Sequence, residues 1–484
     1  MENQTNKTSL SRRDFLKTGG IAAAGLMTGA LTPAEVLGAT QRRNATTAPT
    51  DRVRLACIGI GNRGGDLVRE FGKTGLCDIV ALCDVDMDAD FCKASIAANP
   101  NAKRYRDFRK MFDEIAGEFD AVTVAIPDFA HFPAVMLAMS MGKHVYVEKP
   151  LSRTYHETSL MMDMARRNPH LATQVGNQGH SEGNYFQFKA WLDAGIIKDV
   201  TAVTAHMNSS RRWHVYDQNI YKWPDAQPLP PNMDWDTWLG TAMWHDFNKV
   251  YHPGDWRSWY DFGMGALGDW GAHLIDTVHE FLALGLPYEV EPLLLKGRND
   301  FFFPLSSTIR FRFPKRGNMP PLDLTWYDGV DNIPSVPAGY GVNELDPNIP
   351  PSGNNTIQPA SLNPGKIIYS KELTFKGGSH GSTLSIIPEE KAREMASSLP
   401  EVPVSPSNHY ANFLKACRGE EKTRSPFEIH GPLAQVFCLG VIAQRLGRKI
   451  SFDRHTGTIS GDPVANALLA GAPPRAEWQQ YYEL

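Results

Sequence analysis

A short strand, a glycine-rich turn, a helix and a second strand ending in an acid follow one another between residues 53 and 84. Residues 53–58 and 78–83 are the apolar, β-branched runs, and residues 64–72 carry one apolar helical face. This order predicts a dinucleotide site, in which glycines admit the pyrophosphate and the acid accepts hydrogen bonds from a ribose. The residues predicted to contact the cofactor here are Gly59, Gly61, Gly64 and Asp84.

The acid at position 84 favours NAD over NADP, because a carboxylate repels a 2′-phosphate. Arg63 argues in the opposite direction, because its guanidinium could bind the 2′-phosphate of NADP. A purely structural glycine turn is the alternative, and the strand before it and the helix after it argue against this alternative.

The alternation of strands and helices continues beyond Asp84. Residues 119–126 read as a buried strand, followed by Pro127, Asp128 and a helix that starts near His131. A strand over 143–147 runs into Glu148-Lys149-Pro150. This pattern predicts an α/β fold with a doubly wound parallel Rossmann sheet, whose strand ends converge on one crevice.

The N-terminus reads as an export signal. Paired arginines precede Phe-Leu-Lys within residues 9–17, a Gly/Ala-rich apolar stretch reaches about residue 31, and small residues at 37–39 offer a cleavage site. We predict a twin-arginine signal over 1–39, a linker over 40–51, and a periplasmic or otherwise exported protein that uses the twin-arginine translocase. A signal anchor is the alternative, but the stretch is short for a bilayer, and no later run supplies a transmembrane segment in the mature chain.

Composition excludes several classes of function. The formal net charge is -4 and no basic run occurs, which argues against a nucleic-acid partner. The six cysteines lack Cys-x-x-Cys spacing and suit buried free thiols, and the histidines lack the spacing of a metal site.

A glycine-rich segment over 263–276 carries a second candidate group. Asp269 and His273 stand four residues apart and would share one face of a helix. His273 suits a general base for a hydroxyl proton, Asp269 could orient it, and Lys149 could place a cation beside the reacting oxygen. A surface ion pair or a helix cap is the alternative.

Together, Gly-x-Gly-x-Arg-Gly, Ala-Ile-Pro-Asp with a following His, Val-Glu-Lys-Pro and the segment 263–276 resemble the glucose-fructose oxidoreductase/inositol dehydrogenase/MocA family. Met264 departs from the glycine that is common there. The resemblance implies a Rossmann domain over 52–172 and a C-terminal α/β domain over 173–484 with a large open, mostly antiparallel sheet that forms homo-oligomer contacts. It implies catalytic roles for Lys149, Asp269 and His273. It also adds further cofactor residues: Asn62, Arg63, Pro127, Asp128, His131, Glu148, Lys149 and Asn177.

Aromatic and charged residues cluster on either side of residue 230, as a polyol pocket requires, although some of these aromatics suit the core equally. The predicted substrate residues are His180, Arg211, Trp213, His214, His252, Asp255, Trp256 and Arg257. Farther on, residues 307–312, 322–327 and 367–387 alternate as strands do, 331–365 reads as a long loop, and 407–417 and 431–445 read as helices.

These features predict an NAD-dependent oxidoreductase acting on a secondary hydroxyl of a sugar, glycoside or cyclitol. Since no NAD pool exists outside the cytoplasm, export implies a tightly bound cofactor that is recycled within the site. An NAD-dependent glycosidase, working by transient oxidation, elimination, hydration and re-reduction, is the first alternative. A non-catalytic sugar-binding protein is the second, and it is disfavoured because Lys149 and His273 are both present.

Overall fold

The computed structural model describes residues 52–207, 222–330, 332–340 and 364–484. Two β-sheets organise this part of the chain. Its strands are β1 Val53–Ile58, β2 Cys77–Cys83, β3 Lys103–Tyr105, β4 Ala121–Val124, β5 His144–Val147, β6 Thr173–Val175, β7 Val200–Met207, β8 Glu289–Lys296, β9 Ser306–Phe313, β10 Leu322–Asp328, β11 Gly365–Ser370, β12 Thr374–Gly377, β13 Ser385–Ile387, β14 Ile450–Asp453 and β15 Thr458–Ile459.

Helices connect these strands and cover the sheets. The α-helices of the described ranges are α1 Asn62–Lys73, α2 Lys93–Ala98, α3 Phe108–Ile115, α4 His131–Ser140, α5 Tyr155–Arg167, α6 Gly183–Asp193, α7 Trp235–Leu239, α8 Gly265–Leu274, α9 Asp276–Phe281, α10 Glu389–Met395, α11 His409–Cys417, α12 Phe427–Leu446 and α13 Pro463–Ala470. Several start where the sequence supplies a cap: Thr154 and Glu157 form a reciprocal capping box at α5, and Asp107 accepts the Arg109 N–H at α3.

The first sheet is parallel throughout, with the strand order β3-β2-β1-β4-β5-β6. Every residue of β4 is buried, because helices cover both faces of the sheet. The predicted doubly wound Rossmann sheet is therefore confirmed. The helix expected to start at residue 64 starts at Asn62, and the strand expected over 119–126 is shorter, at Ala121–Val124.

The second sheet has the strand order β13-β12-β11-β7-β10-β9-β8-β14-β15. Its pairs are antiparallel except for β7 with β10. The predicted C-terminal α/β domain with a mostly antiparallel sheet is confirmed, and the expected strands 307–312 and 322–327 are the paired strands β9 and β10. Most of the expected loop over 331–365 lies outside the described residues.

The C-terminal end of the chain returns to the first sheet. Phe413 and Leu414 of α11 lie in the core beneath β1, and Trp478 and Tyr481 lie in the core beneath α4. Strand β6 follows residue 172 and still belongs to the first sheet. Sequence order alone therefore does not separate the two cores, and the cleft between the sheets is built by both halves of the chain.

The six cysteines are free and buried, as predicted. Burial raises the pKa of the Cys57 thiol to about 12, so this group stays protonated at neutral pH. Among the helices of the described ranges, none combines the length and apolarity needed to cross a bilayer. In the same ranges, no three His, Cys, Asp or Glu side chains converge as metal ligands would. The predicted export signal and linker lie outside the described residues.

Candidate active site

A cleft of about 890 Å³ opens at the carboxyl ends of the first sheet, where the second half of the chain packs against it. This is the place where doubly wound sheets bind their ligands. The predicted site residues that line it are Gly59, Gly61, Asn62, Arg63, Asp84, Pro127, Asp128, His131, Glu148, Lys149, His252, Trp256, Arg257, Asp269 and His273.

The glycine turn after β1 has the shape of a pyrophosphate cradle. Gly59 has φ +80°, and a Cβ there would collide with the carbonyl oxygen of Ala125 on the neighbouring strand end. A Cβ on Gly64 would collide with the carbonyl oxygen of Gly59, so the turn and α1 pack backbone to backbone. The N-terminus of α1 follows directly at Asn62, where the unpaired N–H groups of a helix favour an anion.

Asp84 stands at the end of β2 and faces this turn. One of its carboxylate oxygens accepts the backbone N–H of Ile60 at 3.0 Å, and the other accepts that of Asp86 at 3.0 Å. The acid therefore fixes the turn while it lines the cleft, and each carboxylate oxygen keeps acceptor capacity for a ribose hydroxyl.

Arg63 is held by other protein groups. Its Nε donates to Glu148 Oε1 at 2.9 Å, and its Nη2 donates to the Tyr410 hydroxyl at 3.4 Å. Glu148 is buried, and its negative charge balances the guanidinium. Because the guanidinium is already paired within the protein, the argument that Arg63 selects NADP by binding its 2′-phosphate is weaker.

Lys149 and Asp269 form an ion pair at the inner end of the cleft. Lys149 Nζ donates to Asp269 Oδ1 at 2.7 Å and to the Asp269 carbonyl oxygen at 2.9 Å. Burial lowers the pKa of Lys149, and the Asp269 carboxylate opposes this shift. Two of the three ammonium N–H donors are thus used by Asp269, and one remains for a ligand in the cleft.

His273 lies one turn after Asp269 on α8, as predicted. Burial, followed by the charges of His380 and Lys149, lowers the pKa of His273 well below its ordinary value, so the imidazole is neutral at pH 7. The Asp269 carboxylate raises the pKa of His273 against these effects, while its Oδ1 accepts from Lys149, so the predicted orientation of His273 by Asp269 stays a prediction. The buried Nδ1 of His273 has no hydrogen-bond partner among the described residues.

Asp128 and Arg257, predicted for cofactor and substrate respectively, bind each other. Arg257 Nη1 donates to both Asp128 oxygens, at 2.7 and 3.0 Å, and Arg257 Nε lies 3.6 Å from Asp269 Oδ1. Asp128 also accepts the backbone N–H of Met264 at 3.2 Å. The four charges of Asp128, Arg257, Asp269 and Lys149 therefore form one continuous network along the wall of the cleft.

His131, predicted to meet the cofactor, lines the cleft and also connects two strand ends. Its Nδ1 lies 2.9 Å from the Pro150 carbonyl oxygen, and its Nε2 lies 2.8 Å from that of Ile126. Burial lowers its pKa, so the neutral ring donates to one of the two carbonyls. This geometry ties the backbone directly after Lys149 to the segment that follows the neighbouring strand β4.

Asn177 and His180 lie behind the cleft and are absent from its lining. Asn177 Nδ2 donates to Asp276 Oδ2 at 2.9 Å, and His180 Nε2 lies 3.2 Å from the same oxygen. All three side chains are buried. We predicted that Asn177 contacts the cofactor and that His180 contacts a substrate. This geometry does not support either contact, because Asp276 at the start of α9 interacts with both side chains, and both stay predictions.

Replacing Asp276 by asparagine is expected to lower the free energy of unfolding by about 3 kcal/mol, because it removes the nearer and more deeply buried of the two carboxylates that face His180 and leaves only Glu280, at 3.5 Å, among the described acids paired with it. Burial opposes charge on both partners, yet their contact raises the pKa of His180 and lowers that of Asp276. The contribution of His180 to the free energy of unfolding is complete below pH 6.5, and that of Asp276 is complete above pH 3.8. Urea unfolding should therefore show the largest loss of stability in Asp276→Asn between these two pH values. Asp193→Asn, which breaks an exposed pair with Lys189, should change stability by less than about 0.5 kcal/mol. An equal effect of both changes would contradict this account.

The remaining predicted substrate residues divide into three groups. His252 lines the cleft at its outer end, where Nε2 lies 3.2 Å from Asp86 Oδ2, and so it stands near Asp84 rather than near Lys149. Trp256 lines the cleft and stacks on the Arg257 guanidinium, whereas Asp255 is absent from the lining. Arg211, Trp213 and His214 lie outside the described residues.

Sequence reasoning missed several residues that line the cleft, notably His380, Tyr410 and Trp238. The signal for His380 was its place in Gly377-Gly378-Ser379-His380-Gly381, where a histidine stands among glycines that join two strands. Tyr410 and Trp238 gave no such signal, because they reach the cleft only through the packing of α11 and α7.

Comparison with known proteins agrees with this architecture. A family model described as "Oxidoreductase family, NAD-binding Rossmann fold" matches residues 53–176, and one described as "Oxidoreductase family, C-terminal alpha/beta domain" matches residues 185–291. The WlbA dehydrogenase of Bordetella pertussis, solved with NADH and UDP-GlcNAcA, superposes with a TM-score of 0.53 over 83% of this chain and 99% of its own, at 13% identity. At that identity the likeness supports the fold alone.

Curated relatives are similar over shorter stretches. A glycosyl hydrolase family 109 protein of Shewanella pealeana is 30% identical over 33% of this chain and 37% of its own length. An inositol 2-dehydrogenase of Salmonella paratyphi B is 26% identical over 42% of this chain and 58% of its own length. The chain thus matches about half or less of most such relatives. With both domain models in sequence order on the observed fold, residues 53–176 and 185–291 belong to the glucose-fructose oxidoreductase/inositol dehydrogenase/MocA family of oxidoreductases, and the first of these ranges is its NAD-binding Rossmann domain.

Proposed function

We propose that this protein is an NAD-dependent oxidoreductase acting on a secondary hydroxyl of a sugar, glycoside or cyclitol. One observation carries the proposal: a single cleft of about 890 Å³ joins the glycine turn to the Lys149–Asp269 pair and to His273. A dinucleotide needs the first end, and oxidation of an alcohol needs a base and a cation at the second end.

The residues at the outer end suit a dinucleotide. The cradle at Gly59 and Gly64 excludes side chains, α1 begins beside it, and Asp84 offers acceptors for ribose hydroxyls. When bound, NAD supplies the acceptor for the hydride that leaves the substrate carbon.

The inner end divides the remaining work between two side chains. His273 is neutral at pH 7 and can accept the hydroxyl proton. Lys149 keeps one N–H for the reacting oxygen and stabilises the negative charge that develops there. Asp269 anchors Lys149 and is fully buried, so it acts through the lysine rather than on the substrate.

We also propose that the cofactor stays bound between turnovers. The cleft that holds Gly59 and Asp84 is also lined by residues from beyond the first sheet, namely Trp238, His252, Pro253 and Trp256. Phe129, in the short helical turn that follows β4, packs against Trp238 of this wall and against Phe262 behind it, so an aromatic core joins the wall to the end of the first sheet. Residues that enclose a ligand from both sides slow its release.

Retention accords with export, which we propose on the sequence of residues 1–39. An exported enzyme meets no NAD pool and must recycle the cofactor that it carries. Attaching residues 1–51 to a reporter, with Arg12 and Arg13 replaced by lysine in a control, tests this point: the signal should direct periplasmic transport and the control should not.

A redox-neutral glycosidase is the second candidate, and the glycosyl hydrolase family 109 relatives favour it. The same Lys149 and His273 would serve a transient oxidation that acidifies a neighbouring C–H bond and permits elimination of the aglycone. Lasting oxidation of one sugar with reduction of another would support the oxidoreductase, and net hydrolysis without an added acceptor would support the glycosidase.

The decisive experiment is absorbance and mass spectrometry of purified protein for bound NAD(H), before and after a panel of glycosides is added. We expect a dinucleotide to copurify and its redox state to respond to at least one glycoside. If none copurifies and none binds, the retained-cofactor proposal fails.

Replacing Asp84 by alanine is expected to weaken NAD binding at least about tenfold, because the ribose loses its acceptor and the turn loses its bond to Ile60. NADP should bind more tightly than to the wild type, since the repelling carboxylate is gone. Calorimetry on protein stripped of cofactor measures both. The control Asp78→Ala removes an exposed carboxylate from the other end of β2 and should change neither affinity. Unchanged selectivity in Asp84→Ala would contradict the assignment of NAD.

We further propose a homo-oligomer. Apolar side chains at Tyr288, Leu293 and Leu294, along β8 and beside it, are 44–48% exposed and would be covered by a second copy. Light scattering coupled to size exclusion measures the oligomeric state.

A further inference from the structure

His380 lines the cleft from a loop between β12 and β13, far in sequence from the other candidate site residues. Its ring stacks on that of His273, with centroids 3.9 Å apart and an interplanar angle of 19°. Its backbone N–H donates to the His273 carbonyl oxygen at 3.2 Å. The two histidines are therefore fixed to each other by both ring and backbone.

The loop holds His380 in a defined position. His380 has φ +51°, a backbone conformation that a non-glycine residue rarely adopts and that surrounding structure must maintain. Its Nδ1 lies 2.9 Å from the hydroxyl of Ser379, which is fully buried. A Cβ on Gly179 would stand 3.1 Å from the His380 carbonyl oxygen, so the chain on the other side packs closely against this loop.

His273 otherwise lacks the support that a catalytic imidazole usually has. A general base is commonly oriented by a hydrogen bond to its second nitrogen, yet the buried Nδ1 of His273 finds no partner in the described part of the chain. The Asp269 carboxylate, one turn away, bonds to Lys149. Trp270 lies edge-on to the His273 ring with centroids 6.0 Å apart, so among the described residues the stacked His380 is the closer ring.

We propose that His380 is a positioning residue of this site, which holds the His273 imidazole in its proton-accepting form by stacking on it. The proposal rests on the function proposed above, in which His273 receives the proton of the substrate hydroxyl.

Electrostatics gives the stack its chemical effect. Two imidazolium rings 3.9 Å apart in a buried site repel each other, so the pair takes up one proton rather than two. The other charges that face His273 are Lys149 and Arg63, which also disfavour its protonation, and Asp269, which favours it. Glu182, whose carboxylate abuts Gly381 of the same loop, is the further acid on this side.

The test compares His380→Phe, which keeps a flat ring but cannot be charged, with His380→Asn, which removes the ring and suits a positive φ. Histidine-selective NMR titration, with the His273 signal assigned through His273→Gln, reads the pKa of His273 without turnover. We expect His380→Phe to raise this pKa by about one unit, because one repelling charge is lost. The acid limb of the kcat/KM profile should move to higher pH by the same amount.

In His380→Asn we expect the same rise in pKa together with a fall in kcat of about tenfold, because the ring of His273 loses its support. The matched control is His455→Phe at an exposed position, which should leave both the titration and the profile unchanged. An unaltered His273 pKa in both His380 variants overturns the proposal. If the pKa rises as expected while no glycoside is turned over by the wild type, the proposed function fails and the positioning role stands.

Discussion

Replacing Lys149 by methionine is expected to lower kcat about 10³-fold, the scale of losing a charged group that stabilises a transition state. Asp269 accepts two of the three N–H groups of the Lys149 ammonium, and the third is left for a ligand at the inner end of the cleft. Methionine keeps the length and packing of the side chain but carries no charge. The rate should be measured on whichever glycoside responds in the bound-cofactor assay, with the NAD content of each preparation determined alongside.

A structural failure must be separated from a chemical one. Lys149→Met removes the nearer of two cations that pair with the fully buried Asp269 and leaves Arg257 Nε at 3.6 Å, so some loss of stability accompanies the loss of rate. Lys149→Arg keeps the charge and should retain more stability and more rate than methionine does. The exposed Lys315→Met is the control for the change of residue type. A near-wild-type rate in Lys149→Met would remove the lysine from the chemistry.

The sequence anticipated the first sheet closely, and the reason is local. Strands β1, β2 and β4 are mostly apolar, and Gly59, Asp84 and Pro127 follow their carboxyl ends, whereas the short polar strand β3 carried no such signal. Since these ends must share one edge, placing the strands also placed the cleft. The spacing of four residues between Asp269 and His273 predicted that both lie on one helix, and α8 confirms this.

What the sequence could not supply was the pairing of charges across the cleft. Asp269 stands four residues before His273, a spacing that suggests an interaction between them, and nothing in that spacing indicates that a lysine 120 residues away also donates to the Asp269 carboxylate. Asn177 and His180 follow the end of β6, where a ligand residue would be expected, yet Asp276 engages both from α9. Local spacing shows which residues can meet, and the competition among distant partners decides which of them do.

The contact of His380 with His273 likewise could not be predicted from the sequence. A histidine among glycines between two short strands predicts a turn, and nothing nearby in the sequence connects it with residue 273. The contact arises because the second sheet brings the β12–β13 connection against α8. Long-range packing of this kind has no signature in one sequence.

Replacing Arg257 by methionine is the second change with a large expected effect, a loss of about 3–5 kcal/mol in the free energy of unfolding. Arg257 neutralises Asp128, which is 1% exposed, through two hydrogen bonds at 2.7 and 3.0 Å, and it also approaches the buried Asp269. Methionine would fill a similar volume against Trp256 but would leave Asp128 buried without its cation. Urea unfolding at pH 8 measures the loss.

The pH dependence of that loss identifies its origin. Burial already raises the pKa of Asp128, and Arg257 restrains the rise, so removing the arginine should raise the pKa further. A carboxyl whose pKa is raised on folding carries its full penalty above the folded pKa and none below the unfolded value of 3.8. The deficit of Arg257→Met should therefore be clearly smaller at pH 4 than at pH 8.

The double variant Asp128→Asn/Arg257→Met completes the argument, because it removes both charges of the pair together. It should recover more than half of the stability lost in Arg257→Met, since a buried neutral amide costs less than a buried unpaired carboxylate. Asp128 follows β4 of the first sheet, and Arg257 belongs to the wall contributed by the second half of the chain. If the single variant is as stable as the wild type at pH 8, this ion pair does not hold the two sides of the cleft together, and the aromatic contacts of Phe129 with Trp238 and Phe262 must do so.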